Sequence, residues 1–187
     1  RSIRCAVPAN ASGGGRPLST GMRNLPSFLD GIVVLDFSRV LAGPFCTMTL
    51  ADLGARVIKI ESPEGDESRG MGPFIDGNSL YFASINRSKE SVTINLKTPA
   101  GLELARSLSE KCDVLVENFR PGTMDRLGLG YDQIRKLNPS IVYASLSGFG
   151  HTGPYKDRGA YDVIIQAMSG LMGVTGSAGG PPTRVGA

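Results

Sequence analysis

The sequence predicts an α/β fold in which helices flank a mostly parallel sheet. From residue 30 onward, short apolar runs rich in β-branched residues alternate with segments of helical character. Strands that are separated by helices are typical of βαβ units, whose strands run parallel. The 187 residues, of which 41% are hydrophobic, suffice for one domain with a core of its own.

Five strands are predicted. Residues 31–36 form a continuous apolar run that ends in Asp36, as a strand buried on both faces of a parallel sheet requires. The remaining strands have the same short apolar character. They are predicted at residues 56–60, 91–96, 114–116 and 141–146.

Helices are predicted between these strands from their end signals. Pro44 suits a first helical turn, and Gly54 suits the end of that helix. Thr98 and Pro99 supply the N-cap and first turn of a second helix, which continues to about Lys111. Two more helices are predicted at residues 131–137 and around 161–171. Residues 62–77 and 176–187 are predicted to be irregular.

Residues 1–29 differ in composition from the remainder. They contain four arginines and no acidic residue, whereas residues 30–187 carry 16 basic and 17 acidic side chains. An arginine-bearing, acid-poor start is typical of an organelle transit peptide, and equally of a disordered leader. We therefore divide the chain into a leader or transit peptide at residues 1–29 and one domain at residues 30–187, which we expect to continue beyond Ala187.

Composition argues against several classes of function. The net charge of +3 is too small for a strongly basic nucleic-acid binder. No apolar run approaches the ~20 residues that span a bilayer. Three scattered cysteines and one histidine speak against a disulfide framework and a structural zinc site. We expect no nucleic acid, membrane or metal among the partners.

The first strand is followed by a candidate anion site. Ligands of open parallel sheets bind beyond the carboxyl ends of the strands. Arg39 lies at such an end, directly before the helix that Pro44 opens, and a helix N-terminus adds partial positive charge. Phosphate would be the usual ligand. The alternative is a surface arginine beside an ordinary turn.

A second group follows the fourth strand. The amide of Asn118 can hydrogen-bond a base edge, Phe119 can offer a flat apolar face, and Arg126 can pair with phosphate. Together they would suit a cofactor that carries a nucleotide. Taken separately, Phe119 is more typical of a core residue and Arg126 of a solvated one.

Two further signals, a glycine pattern and a histidine, are interpreted as structural. Gly148 to Gly153 match the pattern GxGxxG, but Pro154 and a charged run delay any helix, so we interpret the segment as a loop. His151 lies in that loop, and spacing suggests no carboxylate partner for it. Asp162, at the start of the last helix, is interpreted as a helix-end residue or as a cleft residue.

Several ordered sequence blocks resemble one family. They are DGIVVLDF at 30–37, LAGPF at 41–45, DLGARVIKIE at 52–61, GD at 65–66, NRSK at 86–89, LKTP at 96–99, VENFRPG at 116–122 and GLGY at 128–131. From about Leu29 to its end the chain resembles the class III CoA-transferases, the CaiB/BaiF family that includes formyl-CoA transferase. Within that family it is most similar to the mitochondrial succinate–hydroxymethylglutarate type.

The resemblance implies a Rossmann-like large domain that holds coenzyme A at its strand ends. It implies acyl-CoA and a carboxylic acid as substrates, no metal, and an interlocked homodimer of the full-length protein. It also favours a mitochondrial location, with the cytoplasm as the alternative. The implied CoA-site residues are Val40, Ile94, Lys97, Asn118, Phe119 and Arg126. The implied cleft-lining residues are Arg39, Leu41, Tyr161 and Asp162.

The family mechanism uses an aspartate that attacks the acyl-CoA thioester to form a mixed anhydride. The released thiolate then converts it to an aspartyl-CoA thioester, from which a second carboxylic acid takes CoA. In the family this aspartate follows a Pro-x-Arg-x-Gly stretch, which is Pro182 to Gly186 here. We therefore expect the nucleophile shortly after Ala187 and no catalytic residue within these 187 residues. In isolation we expect them to be inactive and either marginally stable or prone to aggregation.

Two alternatives stay open. α-Methylacyl-CoA racemases have Gly-His-Asp where this chain has Ala160, Tyr161 and Asp162, and a phenol with a pKa of ~10 is a poor base at neutral pH. The other alternative is a truncated product that binds CoA without turning it over.

Overall fold

The computed structural model describes residues 27–186. The prediction of a leader or transit peptide therefore falls almost entirely on residues outside the described part. The described fold begins with a turn in which the Leu29 N–H donates to the Leu53 carbonyl at 3.0 Å. Leu29 also packs against the core, whereas its neighbour Phe28 is exposed.

The main sheet contains five strands, all parallel, and a short hairpin forms a second sheet. The strands are β1 (Val33–Asp36), β2 (Arg56–Glu61), β3 (Phe74–Ile75), β4 (Asn78–Ser79), β5 (Lys89–Thr93), β6 (Val114–Glu117) and β7 (Val142–Ser145). The order across the main sheet is β5-β2-β1-β6-β7. In register, Leu35 of β1 lies between Ile58 of β2 and Leu115 of β6. The predicted α/β fold with a parallel sheet is confirmed.

Six helices accompany the strands in the described residues. They are α1 (Ala42–Asp52), α2 (Leu80–Asn86), α3 (Pro99–Ser109), α4 (Thr123–Arg126), α5 (Tyr131–Leu137) and α6 (Asp162–Met168), with 3-10 turns at Glu67–Gly70 and Leu171–Gly173. The predicted cap of α3 is present, because the Thr98 hydroxyl accepts a hydrogen bond from the Gly101 N–H at 3.1 Å. The helix after β7 begins only at Asp162, which agrees with a loop rather than a nucleotide fingerprint at residues 148–153.

Several predicted boundaries are wrong. The third strand of the main sheet occupies Lys89–Thr93 rather than 91–96, because its pairing with β2 begins at Lys89 opposite Val57. Residues 62–77, predicted to be irregular, contain the turn Glu67–Gly70 and the strand β3. The short helices α2 and α4 were not predicted, and α6 ends at Met168, before residue 171.

Two hydrophobic clusters cover the two faces of the sheet. Leu35 and Leu115 belong to the larger cluster, and Val34 and Val116 belong to the smaller one. Successive strand residues point to opposite faces, so these neighbours alternate between the two clusters. All four are at most 1% exposed, as expected for a sheet that is buried on both sides.

The strand order reverses direction between β1 and β6. The chain first adds β2 and β5 on one side of β1, and then returns to add β6 and β7 on the other side. Connections at such a switch point diverge and leave a crevice at the carboxyl ends of the two central strands. The residues that follow Asp36 and Glu117 therefore face one another across the natural binding edge of this sheet.

Candidate functional site

The loops after β1 and β6 are joined by a reciprocal pair of hydrogen bonds. The Arg39 N–H donates to Asn118 Oδ1 at 2.8 Å, and Asn118 Nδ2 donates to the Arg39 carbonyl at 2.7 Å. One side-chain amide thus satisfies both backbone groups of Arg39. The two residues that were predicted from separate parts of the sequence meet at the switch point.

The Arg39 side chain packs on Phe119 at this switch point. Its guanidinium carbon is 5.0 Å from the centre of the Phe119 ring, within the range of a cation–π contact. Arg39 Nη1 is also 3.0 Å from Glu67 Oε1, and both side chains of this ion pair are about half exposed, at 48% and 62%. Phe119 packs against the larger core cluster, so it provides a firm base for the guanidinium.

The backbone between Arg39 and α1 is unusual. Val40 has a φ of 64°, which is in the left-handed region, although its side chain is β-branched. Leu41, which is half-buried, is the N-cap of α1 and has no side-chain cap. The first turn of α1 lies close to the loop: a Cβ on Gly43 would be 2.1 Å from the Cβ of Ser38. Only glycine fits at that approach.

A buried ion pair connects this loop with the loop after β2. Lys59 Nζ is 2.8 Å from Asp66 Oδ2 and donates to the Ser38 carbonyl at 2.8 Å. Asp66 Oδ1 accepts from the Val40 N–H at 3.3 Å and from the Ser68 N–H at 2.9 Å. Burial alone would raise the pKa of Asp66, but the contacts with Lys59 and Ser68 outweigh it and hold the pKa below its usual value.

A second buried pair lies at the end of β1. Lys89 Nζ is 3.2 Å from Asp36 Oδ2 and donates to the Pro44 carbonyl and to Asn86 Oδ1 at 2.8 and 2.9 Å. The Thr47 hydroxyl donates to the same carboxylate at 2.6 Å. Burial lowers the pKa of Lys89 to about 8, although the Asp36 charge opposes that shift. The pair fixes the start of α1 to β5.

The loop after β2 is itself held by Glu61. Both carboxylate oxygens accept from the Arg69 guanidinium at 2.7 Å, and Oε2 also accepts from the Asp66 N–H at 3.0 Å. The Arg69 guanidinium lies over the ring of Phe82, 3.8 Å from its centre. Burial favours a raised pKa for Glu61, but the bonds from Arg69 and Ser91 lower it overall. These contacts keep the loop that carries Asp66 in place.

A cleft of about 490 Å³ lies beyond β6 and β7. Its lining residues combine acids, tyrosines and basic groups. They include Glu117, Arg120, Tyr131, Tyr143, Ser145 and His151. The Ser145 hydroxyl donates to Glu117 and contacts His151 Nε2 at 2.6 Å. His151 is an exposed loop residue, as predicted, but Ser145 does link it to a carboxylate. Sequence spacing could not show this link, because Glu117 belongs to another strand.

The other residues that the family resemblance implied for CoA also follow the carboxyl ends of strands in the main sheet. Ile94 follows β5, is 3% exposed and belongs to the larger core cluster. Lys97 is exposed between β5 and α3. Arg126 is exposed in the last turn of α4, where its guanidinium donates to the Thr123 hydroxyl at 3.0 Å. Ile94 is thus a core side chain in this structure, and the other two are free to face a ligand.

Tyr161 and Asp162 lie at the start of α6. Tyr161 is the N-cap residue and is 83% exposed, and the Asp162 carboxylate accepts from Gln166 Nε2 at 2.5 Å. Within residues 27–186, no hydrogen bond joins either of them to Arg39 or Asn118. The structure therefore brings Arg39 together with Asn118 and Phe119, with Val40 and Leu41 next to Arg39 in the chain.

Sequence reasoning missed the buried charges beneath the site. Lys59 and Asp66 were included in matched sequence blocks without a role, and Asp36 and Lys89 were interpreted only as parts of strands and blocks. A lysine inside an apolar strand is a signal in itself, because lysine is almost never buried unless it is paired. That signal could have pointed to Lys59.

Membership of a family follows from comparison with known proteins. The family model described as CoA-transferase family III matches residues 29–187. The chain belongs to CoA-transferase family III. The match covers every described element of the sheet and both loops that form the switch point. Within the described residues, no helix is long and apolar enough to cross a membrane.

Relatives with named activities are similar over most of this family III chain. An acetyl-CoA:oxalate CoA-transferase of Acetobacter aceti is 54% identical over 84% of the chain, and a succinyl-CoA:glutarate CoA-transferase of Mus musculus is 47% identical over all of it. A crystal structure of a CaiB/BaiF family protein from Brucella suis has a TM-score of 0.83 and 45% identity over 87% of the chain. The chain spans only 41–44% of the length of these proteins.

Proposed function

We propose that this chain supplies the coenzyme A half-site of an acyl-CoA:carboxylate CoA-transferase. Family membership gives the class of chemistry. The observation that carries the proposal is the reciprocal pairing of Arg39 with Asn118 at the point where the strand order reverses. This pairing fixes a half-exposed cation and an aromatic ring beside the crevice where open α/β sheets bind ligands.

The side chains offered at this edge match the parts of coenzyme A. The molecule carries a pyrophosphate, a ribose phosphate and an adenine on a flexible thiol arm. Arg39, Lys97 and Arg126 are exposed cations for the phosphates, Phe119 offers a flat face, and Asn118 holds Arg39 in place. The N-terminus of α1, with no acidic residue in its first turn, adds N–H donors near Val40 and Leu41.

The transfer itself needs a carboxylate nucleophile, which we expect beyond Ala187. Its oxygen attacks the thioester carbonyl, the C–S bond breaks, and a mixed anhydride and CoA thiolate form. The thiolate then attacks the enzyme carbonyl of the anhydride and releases the donor acid as its carboxylate. An acceptor carboxylate repeats both steps in reverse and leaves as a new thioester. The residues described here hold the CoA through all four steps.

Equilibrium binding tests the half-site directly. The 187-residue chain should bind CoA measurably by calorimetry, and Arg39→Gln should weaken that binding, whereas Arg56→Gln should not. Arg56 is a matched control, since it forms an exposed ion pair with Glu90 at 2.8 Å, at the opposite end of β2 from this edge. Absence of CoA binding by a chain that is shown to be folded would refute the half-site.

Turnover tests the reaction class. The 187 residues alone should transfer no CoA, and a protein extended by the downstream sequence should transfer CoA between carboxylic acids. Turnover by the 187 residues alone would contradict our placement of the nucleophile. Isotope exchange at the α-carbon without an acceptor acid would instead favour the racemase alternative.

We also propose a mitochondrial location and an interlocked homodimer for the full-length protein. The acid-free, arginine-bearing composition of residues 1–29 supports import. A reporter fused to these residues should concentrate in mitochondria, and a diffuse cytosolic signal would refute import. Sedimentation of the full-length protein should give twice the mass of one chain, and a monomer would refute the dimer.

A further inference from the structure

Val40 is the residue of the site whose backbone is strained, and two buried side chains hold its loop in place. Val40 has a left-handed φ of 64°, and this conformation raises the free energy of a β-branched residue. Such a conformation persists only where its surroundings over-determine it. Val40 lies between Arg39, which contacts Asn118 and Phe119, and the start of α1. Any relaxation of Val40 would therefore move Arg39.

The surroundings that hold Val40 are the two members of one buried ion pair. Asp66 Oδ1 accepts from the Val40 N–H at 3.3 Å, while Lys59 Nζ donates to the carbonyl of Ser38 at 2.8 Å. The pair thus forms hydrogen bonds with the backbone on both sides of Arg39. Lys59 and Asp66 are each 1% exposed at their side chains and lie 2.8 Å apart. Apart from Lys59, Asp66 Oδ2 has no polar partner in the described part of the chain.

Stability alone is a poor reason for such a pair. The loss of hydration on burying two charges offsets much or all of their attraction, and well-packed apolar residues often serve as well. What an apolar pair cannot do is bind a backbone carbonyl and a backbone N–H two residues apart. Both of those groups belong to the loop that carries Arg39.

We propose that Lys59 and Asp66 are positioning residues, which impose the left-handed backbone of Val40 and thereby hold Arg39 in its ligand-facing place. The part of this inference that concerns CoA rests on the proposed function. The part that concerns the loop does not, since the conformation of Val40 can be measured without ligand.

Asp66→Asn is the first test. An amide has one oxygen, which can face Lys59 or Val40 but cannot serve both as the carboxylate does. We expect amide hydrogen exchange at Val40 and Arg39 to accelerate about tenfold or more, the change that corresponds to loss of one buried hydrogen bond. The amide of Leu115 in the core reports global unfolding, so it should stay protected while the two loop amides exchange. Arg56→Met breaks the exposed ion pair with Glu90 at the start of β2, the strand that contains Lys59. This control should leave the exchange rates of all three amides unchanged.

A double variant protects the test against unfolding. Lys59→Met with Asp66→Leu removes both charges, so no unpaired charge is left in the core. It should keep Leu115 protected and still release Val40. If this folded variant retained full protection at Val40, the pair would be shown not to position the loop.

Combining Asp66→Asn with a substitution at Val40 distinguishes a positioning role of Asp66 from a general contribution to stability. Val40→Gly removes the penalty of the left-handed φ, so the loop needs less support. Asp66→Asn should weaken CoA binding about tenfold in the wild-type background but about threefold or less in the Val40→Gly background. Equal losses in both backgrounds would overturn the proposal. If no variant and no wild type bound CoA, the half-site would fail, while the exchange result at Val40 would still decide the positioning role.

Discussion

Arg39 and Asn118 exchange two hydrogen bonds although 79 positions separate them in the sequence. The amide of Asn118 donates with its nitrogen and accepts with its oxygen, so the contact needs both halves of the group. Aspartate has the same shape as asparagine but no donor. The pair therefore offers a substitution that changes hydrogen bonding with little change in volume.

Asn118→Asp should weaken CoA binding about tenfold or more, because the Arg39 carbonyl loses its donor and faces a carboxylate instead. Calorimetry with CoA at neutral pH measures the loss. Asn78→Asp makes the same change in the exposed β3–β4 hairpin and should bind CoA like the wild type. Wild-type affinity in Asn118→Asp would show that the pairing does not support the site.

Lys89 should make the free energy of unfolding depend on pH in the alkaline range. Burial lowers its pKa to about 8 in the folded protein, whereas a lysine in an unfolded chain has a pKa of ~10.4. Between these values the unfolded state binds more protons, so this group adds to the unfolding free energy as the pH rises. Lys89→Arg carries a charge throughout this range. The difference in unfolding free energy, wild type minus Lys89→Arg, should therefore increase from pH 8 to pH 10.4.

Urea titrations at several pH values measure this difference. Contributions from other titrating groups, such as Cys112, whose burial raises its pKa to about 11, are shared by both proteins and cancel. Lys97→Arg replaces an exposed lysine and controls for the substitution itself. A Lys89 difference that stays constant across the range would contradict the buried, charge-paired amine.

Gly43→Ala should destabilise the fold by about 1–3 kcal/mol, because the new methyl group would lie 2.1 Å from the Cβ of Ser38 and force the loop away from α1. Urea unfolding measures the loss. Gly70→Ala, where a Cβ would meet no atom within 4 Å, should change stability by less than about 0.5 kcal/mol. Ser38→Gly should restore part of the stability of Gly43→Ala, and no recovery would place the strain elsewhere.

The two exposed cations at the sheet edge should give CoA binding its salt dependence. Lys97→Gln and Arg126→Gln should each lower the affinity at low ionic strength by about threefold to tenfold and flatten its decline with added salt. Lys111 precedes β6 and so lies at the opposite edge, and Lys111→Gln should leave both quantities unchanged. If CoA affinity declined equally with added salt in all three variants, Lys97 and Arg126 would be shown not to bind the phosphates.

Sequence periodicity was sufficient where a strand is buried on both faces or a helix has clear end signals. β1 was predicted because residues 32–35 are all apolar, and the start of α3 was predicted from Thr98 and Pro99. β5 was misplaced because it lies at the edge of the sheet and its residues are largely exposed. The apolar pattern there did not mark the boundary, whereas pairing with β2 did.

Only the part of the candidate site that directly follows the strands was predicted from the sequence. Arg39, Asn118 and Phe119 were predicted as site residues because strand ends and side-chain chemistry both point to them, and the structure brings them together. Lys59 and Asp66 were missed because their role depends on contacts with the backbone of another loop, and no sequence spacing encodes a contact between loops. The left-handed φ of Val40 was equally hidden, since local preference argues against it.

The crossing of the chain from one flank of β1 to the other has a consequence for biosynthesis. Arg39 leaves the ribosome 79 residues ahead of Asn118, an interval of about 4–16 s at ordinary translation speeds. During that time β1 has β2 beside it and nothing on its other flank. The nascent polypeptide must therefore keep an apolar strand edge from wrong partners until β6 emerges, which makes this stretch of translation the natural point for chaperone protection.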